Sequence, residues 1–155
     1  MQYWLMKSEP ADVSIEDVLT MLDQTIPWCG VRNYQARNFT RDLMQVGDGV
    51  LFYHSSCAEP GIAGITEMVS TSYPDETQFD AKSQYFDSKV SCKNPRWMLV
   101  DVLVLNKTRL LSLAALRVQP ELADMQILRR GNQLSITHVN AAEWHCLPPQ
   151  LRMPS

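Results

Sequence analysis

Residues 28–41, WCGVRNYQARNFTR, carry three arginines, two asparagines, a glutamine and three aromatic rings but no acid, in a chain whose formal net charge is −3. Arginine, asparagine and glutamine are the side chains that bond base edges and phosphates. Arg32, Arg37 and Arg41, with Asn33, Gln35 and Asn38, thus form a local positive group suited to a nucleic acid. For Arg37 and Arg41 a solvated helix face is an equally open reading. Trp28 lies between Pro27 and Gly30, on a turn rather than a periodic face. A ring so placed stacks on a ligand or forms a lid over the core. A second basic spot, RRGN, brings Arg129 and Arg130 to a turn with Asn132.

Lys7 and Glu9 stand two apart at the end of a first strand and therefore share a face. They could form a general acid/base pair, a surface ion pair or a cap on the following turn; a binding role suits them better than catalysis. His54 sits beside Ser55 and Ser56, but strand neighbours point to opposite faces and no G-x-S-x-G elbow is present, which argues against a serine hydrolase. GDG and GIAG lack the lysine and strand–loop–helix context of a phosphate loop, so neither nucleoside triphosphate nor NAD is expected, and no cofactor. Cys29, Cys57, Cys92 and Cys146 are far apart, without a C-x-x-C pair. They read as free thiols in a reducing compartment, and no metal site is expected because His54/Cys57 and His145/Cys146 lack partner pairs.

A sequence pI near 5.5 argues against coating nucleic acid by bulk charge, which needs many Lys and Arg to release counterions. With 155 residues, 45% apolar and 20% charged, the chain is expected to be a single globular domain over 1–155. No run approaches the ~20 apolar residues needed to span a bilayer, and the N-terminus lacks a secretory leader pattern. The expectation is no membrane partner and a cytoplasmic or nuclear location, of which we adopt cytoplasmic.

The elements that must hold these residues follow from patterning. YWLMKS predicts a central strand. VSIEDVLTML predicts a helix with Ile15, Val18, Leu19 and Leu22 on one face and a Ser14/Asp17 capping box. A second helix over 33–44 is predicted, with Ala36, Phe39 and Leu43 inward, its N-terminus aimed at an anion and Gly47 closing it. VLFYHSS and GIAGITEMVS predict a hairpin. Residues 73–95 are either a functional loop or a loop stapled to the core. RWMLVDVLVL predicts a long strand, Ser112 caps a short helix, Pro120 opens ELADMQIL, LSITHV is a strand, and Asn140 with Glu143 caps a terminal helix stopped by Pro148 and Pro149. Trp97 and Trp144 are expected in the core. The sum is α+β, five or six strands in one mixed sheet or open barrel edged by short helices.

YWLMKSEP, GVRNYQARN, GDGVLFYHSS, EPGIAGI, YPDETQFD, YFDSK, NPRWMLVDV and LRRGNQLSI, in this order from Tyr3 to about Trp144, together resemble the EVE domain family. The resemblance implies a PUA-like fold, a partly closed β-barrel with short helices at its rim, related to YTH domains. It implies readers of modified bases without catalytic activity. It places Lys7, Ser8 and Glu9 at a pocket rim with Val31, Arg32 and Asn33, likens Trp28 to the loop tryptophan of the YTH cage, sets Tyr53, His54 and Ser55 at the far wall, and brings in Gly61 and Ile62 from the returning strand. The chain departs from the pattern at Ser88 and His138, where proline is usual, and at Gln133, where a basic residue is common and its loss weakens backbone contacts.

Together these readings predict a non-catalytic module that binds a modified base in DNA or RNA, or a free nucleotide. Trp28 stacks on the base, Asn33 and Ser8 bond its edge, and Arg37, Arg41 and Arg130 hold phosphates. Two alternatives stay open: an enzyme using Lys7, Glu9 and His54 as acid/base groups, and a protein-binding module using residues 73–95.

Overall fold

The apolar run YWLMKS forms β1 (Tyr3–Ser8), an interior strand of a computed structural model that describes residues 1–131 and 134–147. Asn132, Gln133, Pro148 and Pro149 lie outside the described residues. β1 runs parallel to β3 (Gly49–His54) and antiparallel to β8 (Ile136–Val139). β3 and β4 (Gly61–Met68) make the expected hairpin, and β4 pairs with β7 (Asp101–Ser112), whose far edge takes β2 (Thr25–Pro27). The order β2-β7-β4-β3-β1-β8 is a mixed sheet, and register shifts in β3/β4 and β4/β7 mark irregularities of the kind that bend strands. β5 (Tyr73–Pro74) and β6 (Met98–Leu99) form a separate ribbon. The protein is thus α+β, the PUA-like, partly closed barrel with short helices that the resemblance implies.

Strand alternation divides the core. Trp4, Met6, Val50 and Phe52 face a cluster with Ile15, Val18, Trp28 and Val102. Leu5, Leu51, Tyr53 and Ile62 face the other side, against Leu116, Leu122 and Leu147. Fully burying such side chains is worth roughly 1.5–3 kcal/mol each. α1 (Ile15–Leu19) starts with the predicted box, in which the Ser14 hydroxyl accepts from the Asp17 N–H and the Asp17 carboxylate accepts from the Ser14 N–H. It approaches β4 so closely that a Cβ on Gly64 would overlap Ile15. α3 (Leu113–Arg117) is capped by Ser112, and α4 (Ala141–Cys146) has the Asn140/Glu143 box. After Pro120 the chain makes two 3₁₀ turns, Pro120–Leu122 and Gln126–Leu128.

Several expectations change. Leu22 is 87% exposed because α1 ends at Leu19 and the left-handed Asp23 and Gln24 redirect the chain into β2, a strand that patterning missed. The second helix is α2 (Tyr34–Asn38) followed by a π turn, Phe39–Leu43, closed by the Met44 N–H donating to the Phe39 carbonyl. That wider turn shifts the helical phase, so Leu43 is exposed and Met44 is buried in its place. Gly47 lies beyond the helix end, in the turn before β3. The long strand breaks at Val100, and β7 continues through the polar NKTR to Ser112.

Candidate functional site

A cavity of about 390 Å³ opens where β1 ends, beside the loop that follows β2. Backbone pairing fixes its walls. The Lys7 N–H donates to the Ser135 carbonyl and the Trp28 N–H to the Val100 carbonyl, each at 2.9 Å, so β1 and the strand preceding Trp28 are held to their neighbours at the cavity edge. The Ser8 hydroxyl donates to the Val13 carbonyl at 2.6 Å and ties down the turn over residues 9–13. That hydroxyl keeps acceptor lone pairs.

The loop 28–31 is organised from a distance by Asp75, whose side chain is fully buried. One carboxylate oxygen accepts from the Gly30 N–H at 2.8 Å and from Arg32 at 3.1 Å; the other accepts from the Thr77 N–H and hydroxyl. Burial would raise its pKa, but the bonds from Thr77, Gly30 and Arg32 outweigh that and hold it below the ordinary carboxylate value. Gly30 has φ +85°, and a Cβ there would meet the Tyr85 ring at 2.7 Å. Only glycine lets the Tyr85 ring close the wall.

The lining includes two uncommitted donors. The indole N–H groups of Trp4 and Trp97 are bonded to Asp48 and Asp87, whereas that of Trp28 has no partner among the described residues. Trp28 is only 8% exposed, its ring set edge-to-face on Phe52 with centroids 5.2 Å apart. It is therefore a wall of both core and cavity, and the alternatives of ligand contact and core lid coincide in one ring. The Lys7 ammonium likewise makes no hydrogen bond or ion pair among the described residues, and burial lowers its pKa. Burial also raises the Cys29 thiol and the Tyr85 phenol.

Of the residues singled out from sequence, Lys7, Ser8, Glu9, Trp28 and Val31 come together here. The others do not line the cavity. Arg32 stands behind the wall, donating to Tyr85 and Val31 carbonyls, Asp75 and Thr77, so it is a brace and not a free phosphate clamp. The Asn33 side-chain oxygen caps α2 by accepting from the Gln35 and Ala36 N–H groups, which also fills the helix end expected to face an anion. Tyr53 and Ile62 belong to the cluster on the opposite sheet face, and Gly61 meets the Leu111 backbone. The Ser55 N–H donates to the Ser8 carbonyl. His54 Nε2 accepts from the Ile15 N–H at 3.1 Å, so the imidazole is an acceptor that seats α1, and burial lowers its pKa. Lys7, Glu9 and His54 are not assembled as an acid/base trio around the cavity.

Arg37 is bonded to Asn38 and the Arg96 carbonyl, Arg41 forms a two-bond pair with Asp42, and Arg130 is exposed in a turn outside the cavity lining. Sequence reasoning missed Asp75, Gly30, Tyr85, Gln84 and Ser135. The signal for Asp75, Gln84 and Tyr85 lay in residues 73–95, too long and too aromatic for a passive connection. The structure staples that segment to the core, with Gln78 clasping the backbone of Trp97, and brings Tyr85 to the cavity.

No group of three or more His, Cys, Asp or Glu among the described residues is placed to hold a metal. No helix among them is long and apolar enough to cross a membrane.

A half-barrel of this strand order, with short helices at its rim, defines a PUA-like domain. The chain belongs to the EVE domain family, whose model matches residues 2–148. It is 49% identical over 116 residues to thymocyte nuclear protein 1 of Gallus gallus, covering 69% of this chain and 48% of that protein. The chain spans about half the length of the curated thymocyte relatives it matches. Among solved structures, a hypothetical protein from Leishmania major superposes with a TM-score of 0.91 at 42% identity, over 97% of this chain and 94% of the other. Human THYN1 protein in complex with 5-methylcytosine-containing DNA superposes with a TM-score of 0.91 at 36% identity over 100% of both chains.

Proposed function

We propose that this chain is a non-catalytic module that takes an unpaired or flipped modified base of a nucleic acid into the cavity beside Trp28. The observation that carries this reading is the pairing of a buried Trp28 with a half-buried Lys7, two donors without partners among the described residues in a cavity at the lower end of the ~300–1,000 Å³ typical of ligand sites. Such donors match the acceptor groups of a base edge, and the Ser8 lone pairs add an acceptor for an amino group. The likeness to a human protein held with methylcytosine-containing DNA supports a pyrimidine carrying an added methyl as the first ligand to test. Lys7 is the sole cation of the lining among the described residues, and with a net charge of −3 this suits weak, modification-dependent binding over tight general binding.

The test is an anisotropy titration with labelled single-stranded DNA and RNA carrying 5-methylcytosine, hydroxymethylcytosine, methyladenine or no modification. Trp28→Phe keeps an aromatic ring on Phe52 but removes the indole donor, whereas alanine would cost about 3–5 kcal/mol of core packing and confound the result. The expected result is preference for one modified oligomer that Trp28→Phe and Lys7→Met both erase. Equal affinity across the panel refutes the reading. The binding reading is favoured over the enzymatic alternative because His54, one of its three acid/base groups, accepts from the Ile15 N–H and lies outside the cavity lining.

A further inference from the structure

Beyond the cavity, a stack of rings and guanidinium groups runs from its wall to the surface. Arg32 lies 5.4 Å from the Tyr85 ring centroid and 5.5 Å from that of Trp97. Trp97 in turn meets Tyr34, with centroids 5.1 Å apart and planes tilted by 33°. Trp97 is 5% exposed, but Tyr34, the first residue of α2, is 53% exposed. A tyrosine that open, seated on a buried tryptophan, is a rigid aromatic projection and not part of the core.

Two guanidinium groups accompany it. Arg37 lies 5.2 Å and Arg96 5.9 Å from the Tyr34 centroid. The Arg37 guanidinium is fixed to the Arg96 backbone, since Arg37 Nη1 donates to the Arg96 carbonyl at 2.9 Å. Arg37 Nε is bonded to Asn38, and Arg96 Nη1 to Asp87 at 3.2 Å. That leaves the Nη2 of Arg37 and the Nε and Nη2 of Arg96 without partners among the described residues. Among the described residues the cavity lining offers a single cation, Lys7, and no pair of guanidinium groups, because Arg32 is braced behind the wall.

We infer that Tyr34, Arg37 and Arg96 form a second contact site, a ledge on which a nucleotide flanking the captured base stacks on Tyr34 and sets its phosphate against the two arginines. An exposed ring beside paired guanidinium groups is the combination that single strands use, stacking for the base and charge for the backbone. The rigid Tyr85–Arg32–Trp97–Tyr34 stack holds the ledge at a fixed offset from the cavity. The ledge gives strand affinity without modification preference; the cavity gives preference. Arg37 thus keeps the phosphate role read from the sequence, but with Tyr34 and Arg96 as its partners in place of Arg41, whose guanidinium is paired with Asp42.

This inference rests on the base-binding reading of the cavity, and the experiment separates the two. Affinity for an eight-nucleotide single strand and for the matching free nucleoside is measured for the wild type, Tyr34→Leu and Arg96→Gln, with the salt dependence of each; Tyr34→Leu keeps an apolar cover on Trp97. Thermal melts confirm folding of each variant. Tyr34→Leu is expected to weaken the octamer by about 5- to 150-fold, the range of one lost stacking contact, equally for modified and unmodified strands and without change for the nucleoside. Arg96→Gln is expected to lower the salt slope by about 0.7. Octamer affinity and salt slope unchanged in both folded variants would overturn the ledge, as would a wild type that binds no octamer. If no modified base is preferred yet Tyr34→Leu still weakens the octamer, the cavity reading fails and the ledge stands.

Discussion

Two buried aspartates organise the two ends of this half-barrel, and they do so to different ends. Asp48 accepts from the Gln2 N–H, the Trp4 indole and the Gln45 N–H, closing a corner in which the tryptophan donor is committed. Asp75 accepts from Gly30, Arg32 and Thr77, holding a loop whose own tryptophan donor is left open to the cavity. The first corner completes a core. The second uses the same chemistry, a buried carboxylate gathering backbone N–H groups, to hold a loop whose tryptophan packs in the core but keeps an indole N–H that the core does not use. The candidate site differs from the core here by what is left unpaired.

The largest expected effect breaks this contrast directly. Asp75→Ala leaves Arg32 partly buried without its carboxylate and should cost about 3–5 kcal/mol in urea unfolding, together with loss of the modified-base preference. Asp48→Ala leaves three donors unsatisfied, each at about 1–3 kcal/mol, yet below its melting point the preference should persist. If Asp48→Ala abolishes preference as well, the two corners are not functionally distinct.

A glycine pair gives the next effect. Gly30→Ala and Gly47→Ala both place a side chain at positive φ, at about 1–2 kcal/mol each. Only Gly30→Ala displaces the Tyr85 ring, whereas nothing lies within 4 Å of a Cβ at Gly47. Ligand affinity should fall in the first and stay unchanged in the second, as read by the same anisotropy titration.

The cation in the cavity yields a smaller effect of opposite sign. Burial lowers the Lys7 pKa, so the folded state carries a cost that is full below the lowered value and fades as pH rises toward the ordinary 10.5. Lys7→Met should therefore match or exceed the wild-type melting temperature at neutral pH while binding more weakly, and the gap in stability should close under alkaline conditions. Stability given up at a functional position is a familiar trade.

The smallest effect belongs to His54. Its folded pKa is depressed by burial, so its contribution is present above the ordinary value of 6.5 and is lost as pH falls through the folded value, when protonation of Nε2 ends its acceptance from Ile15. His54→Gln, which retains an acceptor, should flatten that part of the stability profile in melts between neutral and mildly acidic pH.

Much of this architecture can be read from local chemistry. The capping boxes at Ser14 and Asn140, the Ser112 cap and the β3–β4 hairpin all follow from residues within a few positions of one another. What escaped depended on distance. β2 is three residues whose pairing partner on β7 lies more than 70 positions away, and the π turn after α2 has no compositional signature. At the site, Trp28 and Lys7 stand out by type, but Arg32 and Asn33 look equally suited to a ligand until Asp75, 43 positions from Arg32, and the α2 backbone claim them. Whether a polar side chain is free is a property of the fold, and no run of neighbours discloses it.

The most direct test uses the indole N–H groups themselves. In a proton–nitrogen correlation spectrum of the four-tryptophan protein, titrated with a single strand carrying 5-methylcytosine, the Trp28 indole signal should shift with saturation. That of Trp4, held by Asp48 away from both proposed contacts, should stay in place, whereas that of Trp97, packed under Tyr34, reports the ledge separately. A Trp28 signal that does not move while the strand binds, or four signals that move alike, would contradict the claim that the donor left open beside β1 receives the base.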